Sequence, residues 1–132
     1  MVKTGVPVLP RARVILLVDD DVQFLPLGQE LLEYLGFRVL TASHGDQALE
    51  LFRTWHQEID LVIIDLNLPR RDGCQVVGEL QAQAPSVKII VTSGFFGPEE
   101  MARLQAAGVA GMIHKPFRAQ QLQEEIAKVL AA

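Results

Sequence analysis

Leu61-Val62-Ile63-Ile64-Asp65 sets four apolar residues, three of them β-branched, directly before a carboxylate. Such a run reads as a strand buried on both faces of a sheet. Leu66-Asn67-Leu68-Pro69 then leads into Arg70-Arg71-Asp72-Gly73, a clear loop signal. In open α/β sheets, ligands bind in the crevice beyond the carboxyl ends of the strands. Asp65 is therefore the candidate reacting group.

Outward from this strand one pattern repeats. Val14 to Val18 is another buried run, ending in Asp19-Asp20-Asp21. The next helix sets Phe24, Leu27, Leu31 and Leu35 on one face, with Pro26 near its first turn and Gly36 as its cap. Arg38 to Ala42 is a short strand. Ser43-His44-Gly45-Asp46 starts a second helix with Ala48, Leu51, Phe52 and Trp55 facing inward. Beyond the central loop, a helix from Cys74 to Ala84 ends before Pro85, and Lys88 to Thr92 forms the fourth strand. Ser93 to Pro98 is a loop, and Glu99 to Ala107 a helix stopped by Gly108. Gly111 to His114 is the fifth strand and Lys115-Pro116 a turn. Arg118 to Leu130 is the last helix, with Leu122, Ile126 and Val129 inside. This alternation predicts an α/β fold with a parallel sheet, helices on both faces and right-handed crossovers. Residues 1–12, with two prolines, a glycine and no helical period, read as a leader or linker to one domain over 13–132.

The 132 residues suffice for one domain with a real core, and 49% apolar content without low-complexity tracts predicts a globular fold. The longest apolar runs are far too short to span a bilayer, and the N-terminus lacks the apolar core of a signal peptide. Cys74, the one cysteine, permits no internal disulfide and suits a reducing compartment, so a cytoplasmic location is expected. At net charge −4, with Lys and Arg scattered, the chain offers no basic footprint for direct nucleic-acid binding.

A parallel sheet brings all its strand ends to one rim. Asp19 and Asp20 follow the first strand, Asp65 the third, Thr92 ends the fourth and Lys115 follows the fifth. Crowded carboxylates repel one another, and a hard divalent cation relieves them. Mg2+ suits best, because it takes one or two carboxylates, keeps waters and shares its remaining positions with phosphate oxygens; Mn2+ is the alternative. A hydroxyl and an ammonium facing such a metal make a site for a phosphoryl group, and an aspartate can itself be the nucleophile.

Val18 to Asp21 (VDDD), Ile64 to Gly73 (IDLNLPRRDG), Val91 to Gly94 (VTSG) and Lys115 to Phe117 (KPF) together resemble the receiver domain of two-component response regulators. The resemblance spans residues 13 to 131, with every motif in order. It implies a flavodoxin-like (βα)5 fold, with five parallel strands in the order 2-1-3-4-5. It also implies that Asp65 accepts a phosphoryl group from the phosphohistidine of a sensor histidine kinase or histidine phosphotransfer protein. Asp19, Asp20, Asp65 and the Asn67 carbonyl would hold Mg2+, while Thr92 and Lys115 would contact phosphoryl oxygens. A cis bond before Pro116 would aim Lys115 inward. A chain of this kind modifies itself, turns over no separate substrate, and is a monomer or weak dimer. The family carries an aromatic residue on the fifth strand where this chain has Met112, a departure that puts the coupling to the face of the last two helices in question.

Simpler readings stand beside these. Asp21 reads as a helix cap, Cys74 as packing, and His44 and His56 lack metal-spaced partners. His114 points away from Lys115 by strand alternation, as a sheet-edge or interface residue. One of Phe95 and Phe96 covers the pocket or meets a partner, or both pack on the following helix. Three other functions compete. A haloacid-dehalogenase-like phosphatase would use Asp19 and Asp21, but that pattern expects threonine where Gln23 stands. A flavodoxin-type cofactor module would want a glycine-rich loop in place of the acidic triplet. A receiver-like interaction module that acts without phosphorylation is the least needed of the three, since every pocket residue is present, but Met112 keeps it open. The SGFF loop at Ser93 to Phe96 and the Val8-Leu9-Pro10-Arg11 approach resemble receivers at the C-terminus of hybrid sensor kinases.

Overall fold

Ile59–Asp65 forms the central strand, β3, of a five-stranded parallel sheet in the computed structural model, which describes residues 12–131. Around it stand β1 (Val14–Val18), β2 (Arg38–Ala42), β4 (Ile89–Ser93) and β5 (Gly111–His114), in the order β2-β1-β3-β4-β5. The connecting helices are α1 (Phe24–Tyr34), α2 (Gly45–Trp55), α3 (Gly73–Gln83), α4 (Pro98–Ala107) and α5 (Ala119–Ala131). The parallel sheet with helices on both faces is what the alternation of elements predicts, and its strand order is that of the flavodoxin-like doubly wound fold that the family resemblance implies. The expected leader lies outside the described residues, apart from Ala12.

Alternation along the strands divides the core in two. Leu16, Val18, Val62, Ile64 and Val91 face Ala48 and Phe52 of α2, Val76, Val77 and Leu80 of α3, and Leu104 of α4. Ile15, Leu17, Leu61, Ile63, Ile90 and Ile113 face Leu32 of α1 and Leu122, Ile126 and Val129 of α5. Both faces of the three central strands are covered, which is why those strands are apolar runs rather than alternating ones. β3 begins two residues before the apolar run at Leu61, because Asp60 interrupts the pattern without interrupting the strand. The pairing shifts between Val14 and Ile15, and the Val14 N–H donates to the Asp60 carboxylate at 2.8 Å instead of to backbone.

Two expected helix faces are corrected. Leu27 is 66% exposed, and the inner face of α1 is built on Gly28 and Leu32. A Cβ at residue 28 would lie 2.9 Å from a Leu17 methyl, so the helix approaches the sheet most closely where it has no side chain. Trp55, expected inward, is 46% exposed because α2 ends there, past the last buried turn at Phe52. Gly36, at φ 101°, closes α1 as the sequence indicates: its own N–H and that of Phe37 bond back to the Glu33 and Leu32 carbonyls.

Candidate functional site

Sheet pairing continues one residue past each strand and so fixes the rim. The Asp19 N–H donates to the Ala42 carbonyl at 3.0 Å, that of Leu66 to Thr92 at 2.9 Å, and that of Lys115 to Ser93 at 2.8 Å. Asp65 and Thr92 are partners in the β3–β4 register. The turn after β1 is held by its own carboxylates. Asp19 Oδ1 accepts from Asp21 N at 2.9 Å, and Asp21 Oδ1 accepts from Gln23 N and Phe24 N at 2.9 and 3.1 Å. Asp21 thus caps the entry to α1, as its place predicts, and those bonds hold its carboxyl below the usual range.

The loop after β3 is fixed from two sides. Asn67 N donates to Asp65 Oδ1 at 2.9 Å, which sets the rotation of the carboxylate. Gly73 begins α3 directly against the Leu66 backbone: a Cβ there would stand 2.5 Å from Leu66 Cα and 2.6 Å from its carbonyl oxygen. The Asp-Gly pair is a packing requirement here, with Asp72 as the cap that accepts from Cys74 N. Arg71 reaches back from this loop to Asp46 on α2 at 2.7 Å and also pairs with Glu79 on α3.

At the centre, Lys115 Nζ lies 2.7 Å from Asp19 Oδ2 and 2.8 Å from Asp65 Oδ2. Asp19, Asp65 and Thr92 are buried, Lys115 is half-buried, and Asp20 and Asn67 are exposed. Burial pushes the Asp19 carboxyl up, against the hydrogen bond from Lys115 that lowers it. Burial also opposes the charge on Lys115, but its bonds to Asp19 and Asp65 outweigh that and raise its pKa. The peptide bond between Lys115 and Pro116 is cis, as the family resemblance implies.

Asp19, Asp20 and Asp65 each offer a carboxylate oxygen, and these oxygens lie within 4.8 Å of one another. A donor set of hard oxygens, partly buried and partly open to water, fits a divalent cation of the Mg2+ type. Together with the Lys115 ammonium and the buried Thr92 beside Asp65, the rim can hold an anion of high charge against a carboxylate nucleophile.

Sequence reasoning missed two supports of this site. The Phe24 ring lies beneath the Lys115 ammonium, 5.3 Å from its centroid, and is itself braced edge-on by Phe117 at 5.9 Å. Phe24 carries a helix-face signal, and nothing local marks it as a neighbour of a residue 91 positions away. The pair Phe95 and Phe96 divides: Phe95 is 72% exposed, while Phe96 is buried and packs edge-on against His114 at 5.0 Å. His114 is exposed and makes that ring contact away from the pocket, in line with strand alternation. His44 caps α2 through its ring nitrogen, and Cys74 is buried in the core as expected.

A family model described as the response regulator receiver domain matches residues 15–127. The chain is 32% identical over 117 residues to the transcriptional regulatory protein ZraR of Escherichia coli (strain K12), covering 89% of this chain and 26% of that protein. It is 31% identical over 116 residues to the sensor kinase CckA of Brucella abortus (strain 2308), covering 88% of this chain and 12% of that one. The chain therefore spans about a quarter or less of the length of these relatives. Among solved structures, a response regulator receiver domain protein from Clostridium thermocellum superposes with a TM-score of 0.85 at 28% identity, covering 90% of this chain and 94% of that one. No helix among the described residues is long and apolar enough to cross a membrane.

Proposed function

The chain belongs to the response regulator receiver family, and on that premise we propose that Asp65 accepts a phosphoryl group from a histidine kinase or histidine phosphotransfer protein and thereby switches partner interactions. The observation that carries this reading is the Lys115 ammonium bonded at once to Asp19 and Asp65 beside a third carboxylate, Asp20. A carboxylate with a fixed cation at its side and a second, exposed carboxylate nearby is arranged for a charged electrophile.

An Asp65 oxygen attacks the phosphorus, the P–N bond of the phosphohistidine breaks, and the imidazole leaves, so that the product on this chain is an acyl phosphate. Asp19, Asp20, Asp65 and the Asn67 carbonyl would hold Mg2+, and the ion when bound would supply charge neutralisation to the phosphoryl oxygens. Lys115 pairs with the transferred group's negative charge, and the Thr92 hydroxyl contacts a phosphoryl oxygen next to it. Asn67 N–H keeps the Asp65 carboxylate from rotating away. Hydrolysis of the acyl phosphate returns the domain to its starting state, so the chain consumes its own modification and turns over no separate substrate.

Met112 favours a second reading, a constitutive interaction module. It is half-buried on the α4 side of β5, where the family resemblance implies an aromatic residue. The two readings separate by intact-mass analysis after incubation with a small acyl phosphate and Mg2+. Phosphotransfer requires a mass gain of one phosphoryl group that disappears in Asp65→Asn and in chelator. No gain from small donors or from a phosphorylated histidine phosphotransfer protein sinks it in favour of the module.

A further inference from the structure

Lys115 is held at the rim by charge rather than by enclosure. Its side chain is 25% exposed, and it borders a cavity of about 330 Å3 lined also by Asp21, Phe24, Pro116 and Phe117. Its anchors are Asp19 at 2.7 Å and Asp65 at 2.8 Å. Those two carboxylates are the ones that a divalent cation would engage, so both anchors weaken at the step that needs the lysine. The cavity then gives the ammonium room to leave, and exposed Asp21 gives it a carboxylate to leave for. Among the described residues the third partner of the ammonium is the ring of Phe24, whose centroid lies 5.3 Å from Nζ. We propose that Phe24 is a positioning residue for Lys115, its ring face keeping the ammonium at the rim while Asp19 and Asp65 are engaged elsewhere. The inference rests on the phosphotransfer reading of the rim and deepens it.

A ring face suits this task because it attracts a cation through its quadrupole and yet offers a hard metal no oxygen ligand. It therefore holds the lysine without competing for Mg2+, as another carboxylate would. The seat is also built. Phe117 braces Phe24 edge-on, with centroids 5.9 Å apart and ring planes at 86°. Phe24 N–H donates to Asp21 Oδ1 at 3.1 Å, which ties the first residue of α1 to the acidic turn. Gly28, one turn further along α1, leaves room for the ring: a Cβ there would press on two of its carbons at 3.3 Å. Sequence, turn and helix packing thus converge on one ring orientation under Lys115.

The test replaces Phe24 by phenylalanines with increasing numbers of ring fluorines, which weaken the negative face and keep its shape. Two quantities are read in each protein. The first is the upfield shift of the Lys115 methylene protons next to Nζ, with and without Mg2+. The second is the rate at which a small acyl phosphate modifies Asp65 at saturating Mg2+. The seat predicts that the upfield shift survives Mg2+ in the native chain and is lost on adding Mg2+ in the heavily fluorinated proteins. It also predicts a stepwise fall in rate of about 2- to 30-fold, the factor to which cation–π energies convert, at unchanged melting temperature and Mg2+ affinity. A rate that is equal across the series overturns the proposal, and so does loss of the upfield shift when Mg2+ is added to the native chain. Failure of the phosphotransfer reading looks different: the native chain then gains no phosphoryl group, and the Lys115 resonances alone decide for or against the seat.

Discussion

At Lys115 an ammonium reaches 2.7 Å to Asp19 and 2.8 Å to Asp65 while both carboxylates are nearly out of contact with water. Removing it leaves buried acids without a counter-charge. Lys115→Met is expected to destabilise the metal-free protein at neutral pH by about 1–3 kcal/mol, the range for an orphaned buried polar group. Asp19 sets the sign of the pH dependence. Its folded-state pKa lies above the ordinary carboxylate value, so its contribution to stability is full at acidic pH and is lost as pH rises through the raised value. Asp19→Asn should therefore raise the melting temperature in chelator at neutral pH and leave it nearly unchanged in acid, where the native carboxyl is already neutral. Melting curves of the two proteins across that pH range decide the matter; parallel curves would show that burial of Asp19 carries no cost. The rim residues Asp19, Asp20, Asp65, Thr92 and Lys115 were readable because each sits at a strand end, and parallel strands bring those ends together. Which oxygen meets which nitrogen was not readable, because that depends on pairings 96 and 50 residues apart.

Elements were legible wherever apolar period and punctuation agreed, and misphased where backbone replaced side chain in the packing. In α1 the closest approach to the sheet is at Gly28, which contributes nothing to a hydrophobic pattern, so the eye moves to Leu27. In α2 the apolar period runs on to Trp55 after the covered surface has ended at Phe52. The β3–α3 loop hides its constraint in the same way, because Gly73 serves by absence. Gly73→Ala drives a methyl into the Leu66 backbone, which cannot yield as a side chain would, and overpacking of this kind costs about 1–3 kcal/mol. The same displacement moves Leu66 and Asn67, so Mg2+ affinity is expected to fall together with the melting temperature. Arg71→Met offers the contrast. It removes the bridges to Asp46 and Glu79, whose side chains are 66% and 44% exposed, and solvent-screened pairs of this kind contribute little. A calorimetric Mg2+ titration of both variants should show the larger loss in Gly73→Ala, and the reverse order would transfer control of the loop to Arg71.

For the molecule as a whole, the rim concentrates like charge at one end of a sheet whose strands are otherwise almost wholly apolar. The lysine ammonium supplies compensating charge for Asp19 and Asp65, while Asp20 is exposed to solvent. A divalent cation at the same carboxylates would bind the folded chain and not the unfolded one, since nothing gathers three acids in a random coil. Stability must then rise with the logarithm of Mg2+ concentration, by about 2.7 kcal/mol at one hundred times the dissociation constant. Asp20→Asn tests the site at an exposed position, away from the buried acids. Its melting temperature in chelator should match the native protein, while the Mg2+-dependent rise should shrink. A rise of equal size in the variant would remove Asp20 from the ligand set and leave the cation to Asp19 and Asp65 alone. A native protein indifferent to Mg2+ would mean that the Lys115 bridge holds the rim closed against the ion.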